Sequence, residues 1–390
     1  MAAGTGLQDG PVTVRAREQE TPVHETWPNE GCTTQAQRCK PVRSHLLRAL
    51  LACACLFGAC VATAGEPARS LFRSNAPLTV TLQAPWRELL RARRRDDRYP
   101  ALLTYTDSGR RNHRIDATVE SRGLTRRRTC LFPPIRIRFA DPATQDTDFE
   151  GQHSLKMVTH CRSGRRSEQS YVLEMLAYQI YNLTTDHSFR VRPLDITYQD
   201  LKGGKAVGPV FAFLIEPLGD MARRNGRRPA AQAQFAPGQF EPHALSRYML
   251  FQYLIGNTDW DVLAGPRDGG ACCHNARVIV GNAPGSLLAV PYDLDSAGLV
   301  NASYAAPHES LPIKEVTQRL FRGFCVHNGA LPAARLEFLG HREAIFALIE
   351  GEHRLDDSRR REALRYVQTF YDTLDNPVRF ERELSGRCRK

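Results

Sequence analysis

The feature that most constrains this chain is an apolar run, Leu46–Val61, that follows Lys40 and Arg43 and ends at Ala62-Thr63-Ala64. A positive flank, a short apolar core and a small-x-small exit read as a secretory signal over residues 43–64. The run is interrupted by Arg48 and falls short of the about 20 apolar residues a membrane span needs. Cleavage is therefore expected, with an uncleaved signal anchor as the alternative; Cys53 and Cys60 lack the approach sequence of a lipidated cysteine. Residues 1–42 are polar and without hydrophobic period, a disordered extension or the product of a start placed too early. Residues 65–390 are then expected to fold outside the cytoplasm, in a periplasmic or secreted setting.

That compartment sets the reading of the cysteines. Cys130, Cys161, Cys272, Cys273, Cys325 and Cys388 follow the signal, and an even count in an exported protein favours disulfides. Zinc is disfavoured: no CxxC pair occurs, and Cys272-Cys273 with His274 do not easily share one ion. Cys130 with Cys161 is the preferred bridge, because both lie at strand ends of one sheet region. The net charge of +11 favours an anionic partner, or else an arginine-solvated surface. The runs Arg126-Arg127-Arg128, Arg223-Arg224 and Arg227-Arg228 are not interleaved with aromatics, so specific nucleic-acid binding is not expected.

Strand periodicity dominates residues 65–225. Alternating runs occur at 77–82, 102–106, 113–120, 134–139 and 154–160, with a short helix-like stretch at 86–95. In PIRIRF, Ile135, Ile137 and Phe139 share one face and Arg136 and Arg138 the other, which fits an antiparallel sheet with one wet side. The period then changes: Val172, Met175, Leu176, Ile180 and Leu183 mark a helix over 167–183, with Ser167 a candidate cap. Strands return at 189–198 and 207–215. A Gly/Pro/Ala/Gln-rich connector, 226–241, leads to an apolar helix at 243–255, a hairpin at 277–280 and 287–292, and terminal helices at 313–321, 341–349 and 358–374. The predicted class is α+β: two lobes, an antiparallel-sheet N-lobe over 65–225 and a mainly helical C-lobe over 242–390 that carries the hairpin.

The stretch from Ile255 to Leu299 carries the chemistry. Asn257-Thr258-Asp259 closes an apolar helix, His274-Asn275 opens a strand, and Tyr292-Asp293-Leu294-Asp295 follows the return strand. A loop Asp, an Asn before a hairpin and an Asp after it is a layout used in phosphoryl transfer: one carboxylate orients the acceptor hydroxyl, and the others hold Mg²⁺ against phosphates. Each residue also has a plainer role, since Asn-Thr-Asp is ordinary turn chemistry, Asn often makes an Asx turn before a strand, and Asp295 can simply cap a turn.

Over residues 113–300 the chain resembles the CotH-like atypical kinases, the spore-coat protein kinase family, and its Asn-Thr-Asp, His-Asn and Tyr-Asp segments are similar to HipA-type and lipid-kinase catalytic loops. Further marks are Ser121-Arg122-Gly123 before the 134–139 strand, Leu155-Lys156 on a strand, Glu174 in the next helix, and Phe211–Glu216 before a short helix. The resemblance implies a protein-kinase-like fold, with Asp259 as catalytic base and Asn275 and Asp293 as ligands of Mg²⁺ or Mn²⁺. Asp295 is the alternative second ligand. It also implies Lys156 on the α/β-phosphates of ATP, Glu174 paired with Lys156, Glu216 at the adenine or cleft edge, and Arg122 as an added phosphate contact. Two features depart from the family: Asp259 and Asn275 are 16 residues apart rather than about five, and no GxGxxG loop is present.

The functional expectation is an exported phosphotransferase moving a phosphoryl group from ATP to a protein Ser/Thr or other hydroxyl. The alternatives are a non-catalytic secreted or envelope binding protein, and a polyanion binder driven by net charge.

Overall fold

A computed structural model describes residues 67–390 apart from 124, 163, 266–271 and 283–284; the expected extension, 1–42, and signal, 43–64, lie outside the described residues. Seven strands come first: β1 Leu78–Ala84, β2 Tyr99–Thr106, β3 Asn112–Ser121, β4 Ile135–Phe139, β5 Ser154–Val158, β6 Val191–Asp200 and β7 Val207–Ile215. Between them lie α1 Trp86–Arg91, α2 Thr125–Thr129 and α3 Arg165–Thr184. The chain continues through α4 Leu218–Arg224, β8 Arg228–Pro229, α5 Pro242–Ile255, β9 Ala276–Val280 and β10 Leu287–Pro291. It closes with α6 Leu331–Gly340, α7 Arg342–Glu350, α8 Asp357–Asp375 and α9 Pro377–Glu383.

The first seven strands close into a barrel in the order β1-β2-β3-β4-β5-β7-β6. Neighbours run antiparallel except at the seam, where β1 pairs parallel with β6 from Leu78↔Leu194 to Ala84↔Asp200. The period-2 pattern fills the interior: Val80, Leu82, Leu103, Ile115, Ile137, Leu155, Met157, Ile196 and Leu214 share one buried core. β7 is apolar on both faces. Ala212 and Leu214 point into the barrel, while Phe211, Phe213 and Ile215 belong to a second core with α3, α5 and the helices that follow. That second core explains why the strand reads as a continuous apolar run.

This architecture corrects the expected fold. The strand-rich part is a closed, mixed seven-stranded barrel beside a helical C-terminal region, not the antiparallel-sheet lobe of a two-lobed kinase-like fold. The physical reason is that alternation fixes which residues face inward but not which strands pair. The parallel β1–β6 contact joins segments more than 100 residues apart and leaves no mark in either segment alone. A second correction concerns 313–321, expected to be helical, which is a series of turns. There Gln318 Oε1 accepts hydrogen bonds from the Lys314 and Glu315 amides, competing with helical pairing.

α5 is buried nearly all round and ends at Gly256, whose φ of +65° closes the helix in the left-handed conformation. A Cβ there would collide with the Tyr366 hydroxyl, and the left-handed backbone adds to the preference for glycine. Cys130–Cys161, Cys272–Cys273 and Cys325–Cys388 form disulfides, the first being the bridge expected from strand position. Among the described residues no helix is long and apolar enough to cross a membrane.

Candidate functional site

The site is built where the end of α5, the β9–β10 hairpin, β5 and α3 meet. After Gly256, the Asn257 side chain accepts a hydrogen bond from the Asp259 amide, and Trp260, 2% exposed, anchors the loop in the core. The Asp261 amide then donates to the His274 carbonyl, stitching this loop to the start of β9. The 16-residue separation of Asp259 and Asn275 is thereby cancelled in space: Asn275 Nδ2 donates to the Asp259 carbonyl at 2.8 Å and to its carboxylate at 2.9 Å. His274 Nε2 lies 2.7 Å from the other carboxylate oxygen, and this hydrogen bond holds the imidazole above its usual pKa against the effect of burial. Both residues flanking the hairpin, Asn275 (φ +47°) and Asp293 (φ +58°), occupy the left-handed region, uncommon for side chains other than Asn and Asp.

Asp293 sits between this acidic corner and a basic one. Its amide hydrogen-bonds the Tyr178 hydroxyl of α3, its carboxylate is 38% exposed, and its charge is felt by both His274 and Lys156. On the basic side, Lys156 alternates with barrel-filling Leu155 and Met157 and so points outward from β5. Its Nζ donates to the Tyr292 hydroxyl at 2.7 Å, and Arg122 donates to the same oxygen at 3.1 Å. Lys156 and Arg277 lie 4.4 and 4.2 Å from the Tyr292 ring centre. Burial, then the charges of Arg122, Arg277 and Arg136, push the Lys156 ammonium down to about 7. A cavity of about 170 Å³ opens here, lined by Lys156, Arg136, Arg277, Tyr292, Phe189 and Glu216. An arginine concentration around an apolar ring, with a lysine easily held neutral or charged, suits an anion that arrives with its own negative charge.

Glu174 is not the partner of Lys156. Arg126, buried at the start of α2, reaches both Glu174 oxygens at 2.9 Å, Asp295 at 2.7 Å and Asp293 at 3.8 Å. Burial raises the Glu174 carboxyl despite that contact; burial also acts to raise Asp295, but the adjoining Arg126 outweighs it and holds Asp295 low. Asp295 also accepts from the Tyr304 hydroxyl at 2.9 Å. Glu216 reaches the cavity edge with its carboxylate engaged by Arg224 and the Arg190 amide.

Lys156 and Arg122 thus meet at the Tyr292 hydroxyl and Asp259 meets Asn275, whereas Glu174 and Asp295 are drawn into a cluster around Arg126. Among the described residues no group of three or more His, Cys, Asp or Glu side chains could cage a metal ion. The donor set does suit a Mg²⁺ carried on phosphates, which takes only one or two protein oxygens: among the described residues neither the Asp293 carboxylate, 3.8 Å from Arg126, nor the Asn275 amide oxygen accepts a hydrogen bond. Sequence reasoning missed Arg126 as the organising cation. It stands in a run of three arginines with nothing local to mark the buried one. It also missed Tyr292 and Arg277, whose ring-and-guanidinium pairing crosses the hairpin base. The largest cavity among those described, about 940 Å³, is an open arginine-lined depression after α1 and touches none of these residues.

No family model matches the chain. No curated protein matches it either.

Proposed function

We propose that this protein is an exported phosphotransferase that binds a nucleoside triphosphate such as ATP and passes its terminal phosphoryl group to a hydroxyl of a protein Ser/Thr or another alcohol. One observation carries the reading. His274, hydrogen-bonded to the Asp259 that Asn275 also holds, and Lys156, clustered with Arg122 and Arg277 around Tyr292, both feel the charge of Asp293, although these residues come from five separate segments. Export is supported by the three disulfides.

In this reading Lys156, Arg122 and Arg277 take the phosphates, and the 170 Å³ cavity accepts one end of the nucleotide rather than all of it. Asn275 and Asp293 would hold Mg²⁺ or Mn²⁺ arriving with the nucleotide, which when bound supplies positive charge against the phosphate oxygens. Asp259 accepts the proton of the acceptor hydroxyl as its oxygen bonds to the terminal phosphorus. The bond from that phosphorus to the bridging oxygen breaks, and a nucleoside diphosphate leaves.

The test is calorimetric titration of a non-hydrolysable ATP analogue with and without Mg²⁺. Mg²⁺ is expected to tighten binding to the wild type about 10-fold or more, and to have little effect on Asp293→Ala. Equal affinities for both proteins under both conditions would remove the metal assignment.

A second reading is favoured by the engagement of both Asp259 oxygens, one with His274 and one with Asn275. A carboxylate so occupied suits a non-catalytic anion-binding relative. Phosphorylation of an acceptor mixture separates the two: for a catalyst, Asp259→Asn lowers turnover by roughly 10²–10⁴-fold while leaving nucleotide binding in place; a binding protein shows no turnover to lose.

A further inference from the structure

Next to the Arg126 cluster, which it meets at Tyr304, a separate cavity of about 490 Å³ opens between the start of α3 and the segment at 301–304. Its walls carry Arg162, Arg166 and Arg359 with the hydroxyl-bearing Ser167, Ser170 and Tyr304, and among the described residues no carboxylate lines it. Arg162 and Arg166 are exposed, and among the described residues neither makes a hydrogen bond or an ion pair. Arg359 is partly committed, to Glu362 and the Val300 carbonyl, but its Nε is buried without a hydrogen-bond partner. The first turn of the 20-residue α3 has no capping side chain and adds its own positive end to the same space.

The walls are held firmly. The backbone amide of Cys161, which is disulfide-bonded to Cys130, donates to the Tyr171 hydroxyl, and this fixes the base of Arg162. Tyr304 is pinned by its hydroxyl to Asp295. Arg359 has Glu362 as an acidic partner, whereas Arg162 and Arg166 line the same cavity with no ion pair among the described residues, so an anion entering it would meet uncompensated positive charge. Planar, multiply donating guanidinium groups match a tetrahedral oxyanion, and the hydroxyls of Ser167 and Ser170 suit its remaining oxygens. The volume exceeds what a bare phosphate needs and lies in the range of small-molecule pockets.

We propose that this cavity is a binding site for a dianionic phosphate, free or carried as a small phosphate monoester, distinct from the site at Lys156. It does not depend on the phosphotransferase reading.

The test titrates glycerol 3-phosphate and inorganic phosphate calorimetrically into the wild type, Arg162→Glu/Arg166→Glu and Lys156→Met, with glycerol as the uncharged control. Saturable binding of a phosphate probe to the wild type, unchanged within about twofold in Lys156→Met and weakened about 10-fold or more in the double variant, is the expected result. Tighter binding of the ester supports the site with an organic phosphate as its ligand; equal binding of both probes supports it with the free anion. Arg162→Gln/Arg166→Gln provides a milder pair should charge reversal disturb folding, and circular dichroism checks both. Binding that survives in a folded double variant, that disappears in Lys156→Met, or that is no better than glycerol in the wild type overturns the proposal.

Discussion

Replacing Lys156 by methionine tests the electrostatic logic of the candidate site through stability alone. The Lys156 ammonium is withdrawn from water and, secondarily, faces Arg122, Arg277 and Arg136, which together lower its pKa from 10.5 to about 7. Each pKa unit is worth ~1.4 kcal/mol, so this fall sets a ceiling of roughly 5 kcal/mol on the cost of keeping the charged amine in the fold. The side chain is half-buried, and solvent screening reduces the realised cost to about 2–3 kcal/mol. Against this, methionine forfeits the hydrogen bond to Tyr292 and the contact with its ring, together about 1–2 kcal/mol. The Tyr292 hydroxyl is not orphaned, because Arg122 still donates to it.

The sign depends on pH. Below about pH 7 the amine is charged in both folded and unfolded chains, and the whole cost is present. Between about 7 and 10.5 the unfolded chain holds a proton that the folded chain has released, so wild-type stability rises with pH. Lys156→Met should therefore be about 1 kcal/mol more stable than wild type at pH 6, about equal to it near pH 9.5 and about 1 kcal/mol less stable near pH 10.5, by urea denaturation at each pH. A difference between the two proteins that does not change with pH would refute the assignment of Lys156 as a depressed, anion-seeking amine.

Three further outcomes follow from the same structure. Arg126→Met leaves Glu174 and Asp295 without their shared buried cation and should cost about 3–5 kcal/mol, read as a large fall in the urea midpoint. Removing the Cys130–Cys161 bridge by paired alanines, with a sequence separation of 31, should cost about 4 kcal/mol by the same assay. His274, its pKa raised by Asp259, contributes stability that is fully present below its unfolded value near 6.5 and is lost as pH rises through the higher folded value. An NMR titration should place the His274 midpoint above 6.5 in the wild type, and Asp259→Asn should bring it down; a midpoint unmoved by that change would dissociate the two residues.

The sequence disclosed the elements far better than their assembly. β7 was readable to the residue at both ends, and α3 and α5 nearly so, because each has a period that its own residues carry. Ser167 failed as the α3 cap because the helix starts two residues earlier, after Gly164, and the Ser167 hydroxyl turns to Tyr171 instead. The barrel was illegible for a different reason: closure depends on β1 meeting β6, and side-chain alternation is the same in an open antiparallel sheet and a closed mixed one. The site divides along the same line. Asp259, Asn275 and Asp293 were found by their places at the ends of local elements, and a hairpin is a local object. Arg126 was not, because its importance comes from three acids lying 48, 167 and 169 residues away. A single buried guanidinium that gathers distant carboxylates takes Glu174 away from Lys156, and so leaves the lysine beside three arginines with an unusually low pKa. The arginine that sequence reading noted only as part of a basic run thus holds the carboxylate it had paired with Lys156.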